Sequence, residues 1–252
     1  AGGFRAGRVM FEWTADVIRF RRDAAAHTGF EEKIAERIAP YLPKNARVCD
    51  AGCGLGYLSL ALAARCARVT AVDLSEAALS VLRENARIRD IANLDILQGN
   101  VFSMEPAERY DAMVFCFFGR TVEILRVVKA QCPGKAVLIK KNWTAHRFSL
   151  ADRPLKRFTF SDTLQELDAL GVPHWSEAFP LDMGQPFRCV EDAARFFQLY
   201  GWDPEGASVN PEDVIGRLQS TDSKEFPYYL PANCTPGLIV LDAEAIPDSI
   251  EP

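Results

Sequence analysis

Val48-Cys49-Asp50-Ala51-Gly52-Cys53-Gly54-Leu55-Gly56-Tyr57 is the stretch that decides the fold. A short apolar strand runs into a bend with glycine at three alternate positions, and a helix begins at Tyr57. Glycine permits positive φ and lets a ligand approach the main chain where a Cβ would clash. The helix that follows offers unpaired N–H groups and the positive end of its dipole. Beyond the next apolar run, Arg68-Val69-Thr70-Ala71-Val72, stands Asp73. A carboxylate there can accept hydrogen bonds from both hydroxyls of a ribose. Strand, glycine bend, helix, strand and acid, in that order, bring a nucleotide-like ligand to the carboxyl edge of an open α/β sheet. The dinucleotide form of the bend needs glycine at position 57, where this chain has Tyr57. No Gly-Lys-Ser/Thr follows to hold phosphates. Asp50 repels a pyrophosphate and suits a ligand carrying an ammonium or sulfonium charge.

Working outward, strands alternate with helices from Ala46 to Lys140. The pattern predicts a helix over 57–65, a helix over 75–87 capped by Ser75, and strands over 94–97, 110–117 and 135–140. A further helix is expected over 121–131, closed by Cys132-Pro133-Gly134. The nearly unbroken apolar character of 110–117 is that of a strand covered on both faces. The expected fold class is α/β: a seven-stranded, mostly parallel sheet with helices on both faces. Residues 1–43 are read as an N-terminal helical cap, with 1–7 small and frayed and a break near Thr28-Gly29. Residues 44–252 are read as the α/β domain. Extended chain over 175–183 is expected to pair with a last strand at 237–242, with a helical insertion at about 184–236 before that strand. An insertion of this length points to a function. The charge run Arg19-Phe20-Arg21-Arg22-Asp23 is expected to be a solvated helix face.

These motifs resemble the class I, Rossmann-like S-adenosylmethionine-dependent methyltransferases. The resemblance covers about residues 44 to 142. Asp50-Ala51-Gly52-Cys53-Gly54-Leu55-Gly56 is similar to the family's first motif, and Ala71-Val72-Asp73-Leu74-Ser75 to its second. Gln98-Gly99-Asn100-Val101-Phe102 falls where the family usually has Gly-Asp-Ala, with Asn100 replacing the acid. The resemblance implies S-adenosyl-L-methionine as cofactor and S-adenosyl-L-homocysteine as product. It further implies that Gly52, Gly54 and Gly56 cradle the methionyl part, with Asp50 near its amino group. Asp73 would hold the ribose, Leu74 would pack on adenine, and Asn100 with Val101 would fix the adenine edge. Asp73 as a mere helix cap and Asn100 as a turn residue remain the plainer alternatives. Cys116 is either part of the cofactor pocket or a buried structural thiol.

The acceptor is less legible. Methyl transfer from a sulfonium requires alignment and exclusion of water more than acid–base chemistry, so no catalytic residue is assigned. Cys116-Phe117-Phe118-Gly119 does not resemble the Asn/Asp-Pro-Pro-Tyr/Phe motif of amino-directed nucleic-acid methyltransferases. Candidate acceptor-side residues are Trp13, Phe118, Trp143 and His146. The aromatic residues of 184–236 either wall a pocket or form a local mini-core. With 29 Lys+Arg against 34 Asp+Glu, the net charge of −5 offers no general basic surface for nucleic acid, and no DNA partner is expected. Seven cysteines without a C-x-x-C pair, and only three histidines, argue against a metal site and suit a reducing cytoplasm. No apolar run is long enough for a membrane span. The expected activity is methylation of a small molecule. Methylation of protein or RNA, and cofactor binding without catalysis, stay open, as does the oligomeric state.

Overall fold

The computed structural model describes residues 12–150, 154–155, 158–201 and 209–250. The expectation for 1–7 lies outside these residues. α1 (Ala15–Thr28) starts at Thr14, whose hydroxyl accepts the Val17 N–H at 3.3 Å, and stops at Gly29 in the left-handed conformation. α2 (Phe30–Ile38) buries Phe30, Ile34, Ala35 and Ile38, one stripe at helical spacing, against the sheet.

Then follow β1 (Arg47–Ala51), α3 (Tyr57–Ala63), β2 (Arg68–Asp73), α4 (Glu76–Ile88), β3 (Leu94–Gln98), β4 (Ala112–Cys116), α5 (Thr121–Gln131) and β5 (Lys135–Lys140). After α6 (Phe160–Ala169) come β6 (Trp175–Ala178), β7 (Leu181–Asp182), β8 (Gln185–Phe187), α7 (Val190–Tyr200) and α8 (Pro211–Val214). The chain closes with β9 (Gln219–Ser220), β10 (Tyr228–Leu230), β11 (Asn233–Cys234) and β12 (Gly237–Asp242).

Seven strands form the main sheet in the order β3-β2-β1-β4-β5-β12-β6. Pairing from β3 to β5 is parallel throughout, and β12 runs antiparallel to both β5 and β6. The chain lays β2 and β3 on one side of β1, then returns to lay β4 and β5 on the other. The crevice between the carboxyl ends of β1 and β4 is therefore the topological switch point. Alternation supplies two cores. Val48, Ala112, Val114, Val137 and Ile139 face α2 and α3, whereas Cys49, Met113, Phe115, Ala136 and Leu138 face α5. Both faces being dry, the strands read as continuous apolar runs.

Three expectations change. Of the segment 175–183, only β6 pairs with β12; Leu181–Asp182 leaves the sheet and pairs with Asn233–Cys234 instead. The insertion is not simply helical: β8, β10 and β9 form a small antiparallel sheet beside α7. The aromatic residues there make a core of their own, in which Phe187, Phe196, Phe197 and Phe20 of α1 are buried. Nor is Arg19–Arg22 a solvated face. Arg19 makes a double hydrogen bond to Asp192 of α7 at 2.8 and 2.9 Å, Arg21 pairs with Glu31 at 2.8 Å, and Asp23 pairs with Arg188. The basic run fastens α1 to the insertion because Phe20, in its middle, is part of that core.

Candidate active site

The glycine bend lies where β1 gives way to α3. Gly52 has φ 71° and Gly54 has φ 55°. Both lie in the left-handed region that residues bearing a β-carbon avoid. Their N–H groups are held from behind: Gly52 and Cys53 donate to the Val72 carbonyl at 2.8 and 3.0 Å, and Gly54 donates to Asp73 Oδ2 at 2.9 Å. The other oxygen of Asp73 accepts the Ser75 N–H at 2.9 Å. One carboxylate thus ties the bend to the end of β2 and to the start of α4, whose cap is Ser75. Each carboxylate oxygen has a second acceptor site, and the Asp73 carboxylate borders open space.

That space is a cavity of about 800 Å³ at the carboxyl ends of β1 to β5. Gly52, Gly54, Asp73, Leu74, Asn100, Val101 and Cys116 all line it, so a residue set scattered over 65 positions converges on one wall system. Leu74 is 46% exposed, an apolar side chain held out at the rim where a flat ring can cover it. Asn100 Oδ1 accepts the Phe102 N–H at 3.1 Å, so the side chain does serve a turn, with its amide N–H groups left for a ligand. The Cys116 thiol is pushed up from its ordinary value by burial, which keeps it protonated and unreactive as a nucleophile.

Asp50 and Gly56 stand apart from the cavity. Gly56 packs on Leu82 of α4. Asp50 alternates onto the α3 side of β1, 1% exposed, where it accepts the Ser59 hydroxyl at 2.5 Å. Burial raises its carboxyl to about 6, and the Asp73 charge adds to the rise. It lies behind the bend, outside the residues that line the cavity.

On the acceptor side, Trp13 and Phe118 line the cavity, while Trp143 and His146 do not. Trp143 packs on Phe117, with centroids 5.8 Å apart, and beneath the Arg147 guanidinium; His146 meets Phe148 edge-on at 6.4 Å. The Phe118 ring lies against Gly52 so closely that a Cβ there would collide with it. A Cβ on Gly54 would come within 2.9 Å of the Trp13 ring. Glycine is therefore demanded at the bend by the protein's own aromatic side chains as well as by any ligand. Phe118 also stacks on Phe102 at 5.3 Å. Phe117, at the cavity edge, has φ 54° and donates its N–H to the Ile139 carbonyl at 2.8 Å. A positive φ on a residue of this bulk is local strain held in place by its surroundings.

The sequence reading names neither Arg120 nor Phe158 and gives the two lysines ending β5 no individual role. Arg120, Lys140, Lys141 and Phe158 line the same cavity. Lys140 is 2% exposed and donates to the Gly119 carbonyl at 2.9 Å and the Phe118 carbonyl at 3.5 Å. Burial pushes its ammonium down to about 8. The apolar run of β5 foretold a buried strand end, but not that Lys140 would turn into the cavity.

Comparison with known proteins bears on this geometry. Residues 48–130 match the family model described as Methyltransferase domain. Over this stretch, about a third of the chain, the sequence is similar to methyltransferase domains. Over 70 residues, the chain is 37% identical to the ribosomal protein L11 methyltransferase of Acetivibrio thermocellus, covering 27% of this chain and 22% of that protein. Over 145 residues it is 30% identical to an uncharacterized RNA methyltransferase of Gloeobacter violaceus, covering 54% of this chain and 32% of that protein. The chain thus spans a third or less of these two curated relatives. A crystal structure from Bacillus halodurans, assigned as a methyltransferase, superposes with a TM-score of 0.52 at 16% identity, covering 83% of this chain and 96% of that chain. That likeness is one of fold. The domain match ends at residue 130, before the β5 lysines, the insertion and β12. Among the described residues no helix is long and apolar enough to cross a membrane, and no cluster of metal-ligating side chains occurs.

Proposed function

We propose that the protein transfers a methyl group from S-adenosylmethionine to a small molecule by direct in-line displacement. The observation that carries this reading is the single cavity wall shared by Gly52, Gly54, Asp73, Leu74, Asn100 and Val101. These residues suit the cofactor chemically: a bend without side chains, a carboxylate with spare acceptor sites, an exposed apolar side chain and an amide donor. When bound, the cofactor supplies an electrophilic methyl carbon on a sulfonium. Asp73 accepts the ribose hydroxyls, Leu74 covers one adenine face, and Asn100 with Val101 meets the adenine edge. Asp50 acts through the bend, its buried charge adding negative potential behind the loop. Cys116 forms part of the cavity wall. Trp13 and Phe118 exclude water and shape the space left for the acceptor, which makes alignment the main catalytic device. Seven free thiols suit a reducing cytoplasm.

Calorimetry with S-adenosylhomocysteine tests the cofactor assignment, and mass spectrometry of compounds that co-purify tests the acceptor. Micromolar binding that is weakened in Asp73→Ala is the expected result. Absence of binding to the folded protein would remove the reading. The names of the two curated relatives favour a second reading, with ribosomal protein or RNA as acceptor. Transfer of labelled methyl groups to RNA or ribosomal protein, with none to small compounds, would establish it.

A further inference from the structure

Arg120, Lys140 and Lys141 bring three cationic side chains to the cavity wall, and Asp73, at the opposite, bend side, is the one carboxylate among the described residues that line it. Among the described residues none of the three cations forms a salt bridge. Arg120 lies over the Phe158 ring at 5.1 Å, itself exposed and part of the same wall. Lys140 is the telling member. An ammonium has three N–H donors, and Lys140 spends two on neutral carbonyls of the β4–α5 loop. Glu166 of α6 is the carboxylate that acts on it most strongly, yet the two do not form an ion pair. A buried cation without a counter-ion is costly unless a partner arrives. The whole chain carries a net charge of −5, so this local excess of positive charge is not a general property of the surface. Phe117, Phe118 and Phe158 line the wall beside these cations, so the seat is apolar apart from its charges.

We infer that the methyl acceptor is a small molecule bearing a carboxylate or a phosphate on an apolar, ring-like body, its anionic oxygens received by Lys140 at the floor and by Arg120 and Lys141 at the rim. This inference rests on the methyltransferase reading above and names the acceptor class of that same site. The bend side and the lysine side of the cavity thereby divide the work. Asp73 faces the end where a positively charged cofactor sits, and the three cations face the end where a negatively charged acceptor enters. Charge complementarity orients the acceptor so that its nucleophile, remote from the anion, points toward the bend.

The test uses the full chain saturated with S-adenosylhomocysteine, and titrates benzoate, phenyl phosphate and the neutral isostere benzamide by calorimetry. The expected result is that an anionic probe binds at least about tenfold more tightly than benzamide, as one charged hydrogen bond implies. Whether benzoate or phenyl phosphate is preferred tells a carboxylate acceptor from a phosphate one. Lys140→Met removes the preference. Arg120→Ala with Lys141→Ala, both at exposed positions that spare the fold, weakens it, and S-adenosylhomocysteine affinity stays unchanged in both variants. Equal binding of charged and neutral probes, or no anion binding by protein that holds S-adenosylhomocysteine, overturns the inference and leaves the methyltransferase reading standing. A short oligoribonucleotide that excludes benzoate from the cavity assigns the cations to a nucleic-acid backbone and overturns the small-acceptor assignment. Failure to bind S-adenosylhomocysteine at all is the separate failure of the underlying reading.

Discussion

Asp73 and Asp50 show how two carboxylates 23 positions apart in sequence take opposite roles from their surroundings. Asp73 is tied by two main-chain N–H groups yet borders the cavity, so it stays available to a ligand. Asp73→Ala is expected to weaken S-adenosylhomocysteine binding by about 1–3 kcal/mol through loss of charged hydrogen bonds. A folded variant with unchanged affinity by calorimetry would reject the ribose role. Asp50 is sealed behind the bend, and folding raises its carboxyl from 3.8 to about 6. The folded protein therefore holds a proton that the unfolded chain releases across this window. The contribution of Asp50 to stability is full below about 3.8 and is lost as pH rises through about 6. Asp50→Asn keeps an oxygen for the Ser59 hydroxyl and cannot ionise. It should stabilise the ligand-free protein at pH 7 by roughly 1–3 kcal/mol and flatten the stability profile between these limits. Urea unfolding of both proteins across this pH range checks the sign; a less stable variant at pH 7 would show that the ionised carboxylate has compensating partners.

Elements differ in how far the sequence foretold them. The half of the sheet built from β1 to β5 was legible because its rules are local: an apolar run, a glycine or proline stop, a capped helix. α5 and β5 fall where periodicity puts them, and Ser75 caps α4 as expected. The glycine bend and Asp73 were legible for the same reason. The insertion was not. Strands of two or three residues such as β8 and β9 carry no periodicity of their own and exist because β10 pairs with both. Similarly, Trp143 and His146 sit close in sequence to the cavity-lining Lys141 but are turned away by packing on Phe117 and Phe148. In α1 the charges of Arg19 to Asp23 point to a solvated face, whereas the one aromatic ring among them, Phe20, decides that the run packs on a core. Phe20→Ala should cost about 3–5 kcal/mol, since its ring is edge-on to Phe187 and Phe196 in a closed core. Arg19→Ala, which loses partly exposed ion pairs and the guanidinium's contact with the Phe20 ring, should cost about 1 kcal/mol. Denaturant titration separates the two. Equal losses would mean that charge, not the aromatic core, fastens α1 to α7.

At the scale of the whole molecule, the cavity exists only when five parallel strands end side by side, so the site and the main sheet should form and be lost together. A ligand that binds this assembled wall and not the unfolded chain stabilises by mass action, by about 2.7 kcal/mol when its concentration is 100 times its Kd. For a domain of this size that corresponds to a rise in Tm of roughly 5–10 °C. S-adenosylhomocysteine should therefore shift the thermal midpoint in proportion to the logarithm of its concentration, with little change in the steepness of the transition. Asp73→Ala should displace that dose dependence to higher ligand concentration without abolishing the cooperative transition, because removing one carboxylate weakens the site but leaves both cores intact. A midpoint insensitive to the ligand would mean that the five strand ends, though correctly assembled, do not make a nucleoside site. A shift in which only part of the transition moves would mean that the insertion with its own aromatic core unfolds apart from the sheet.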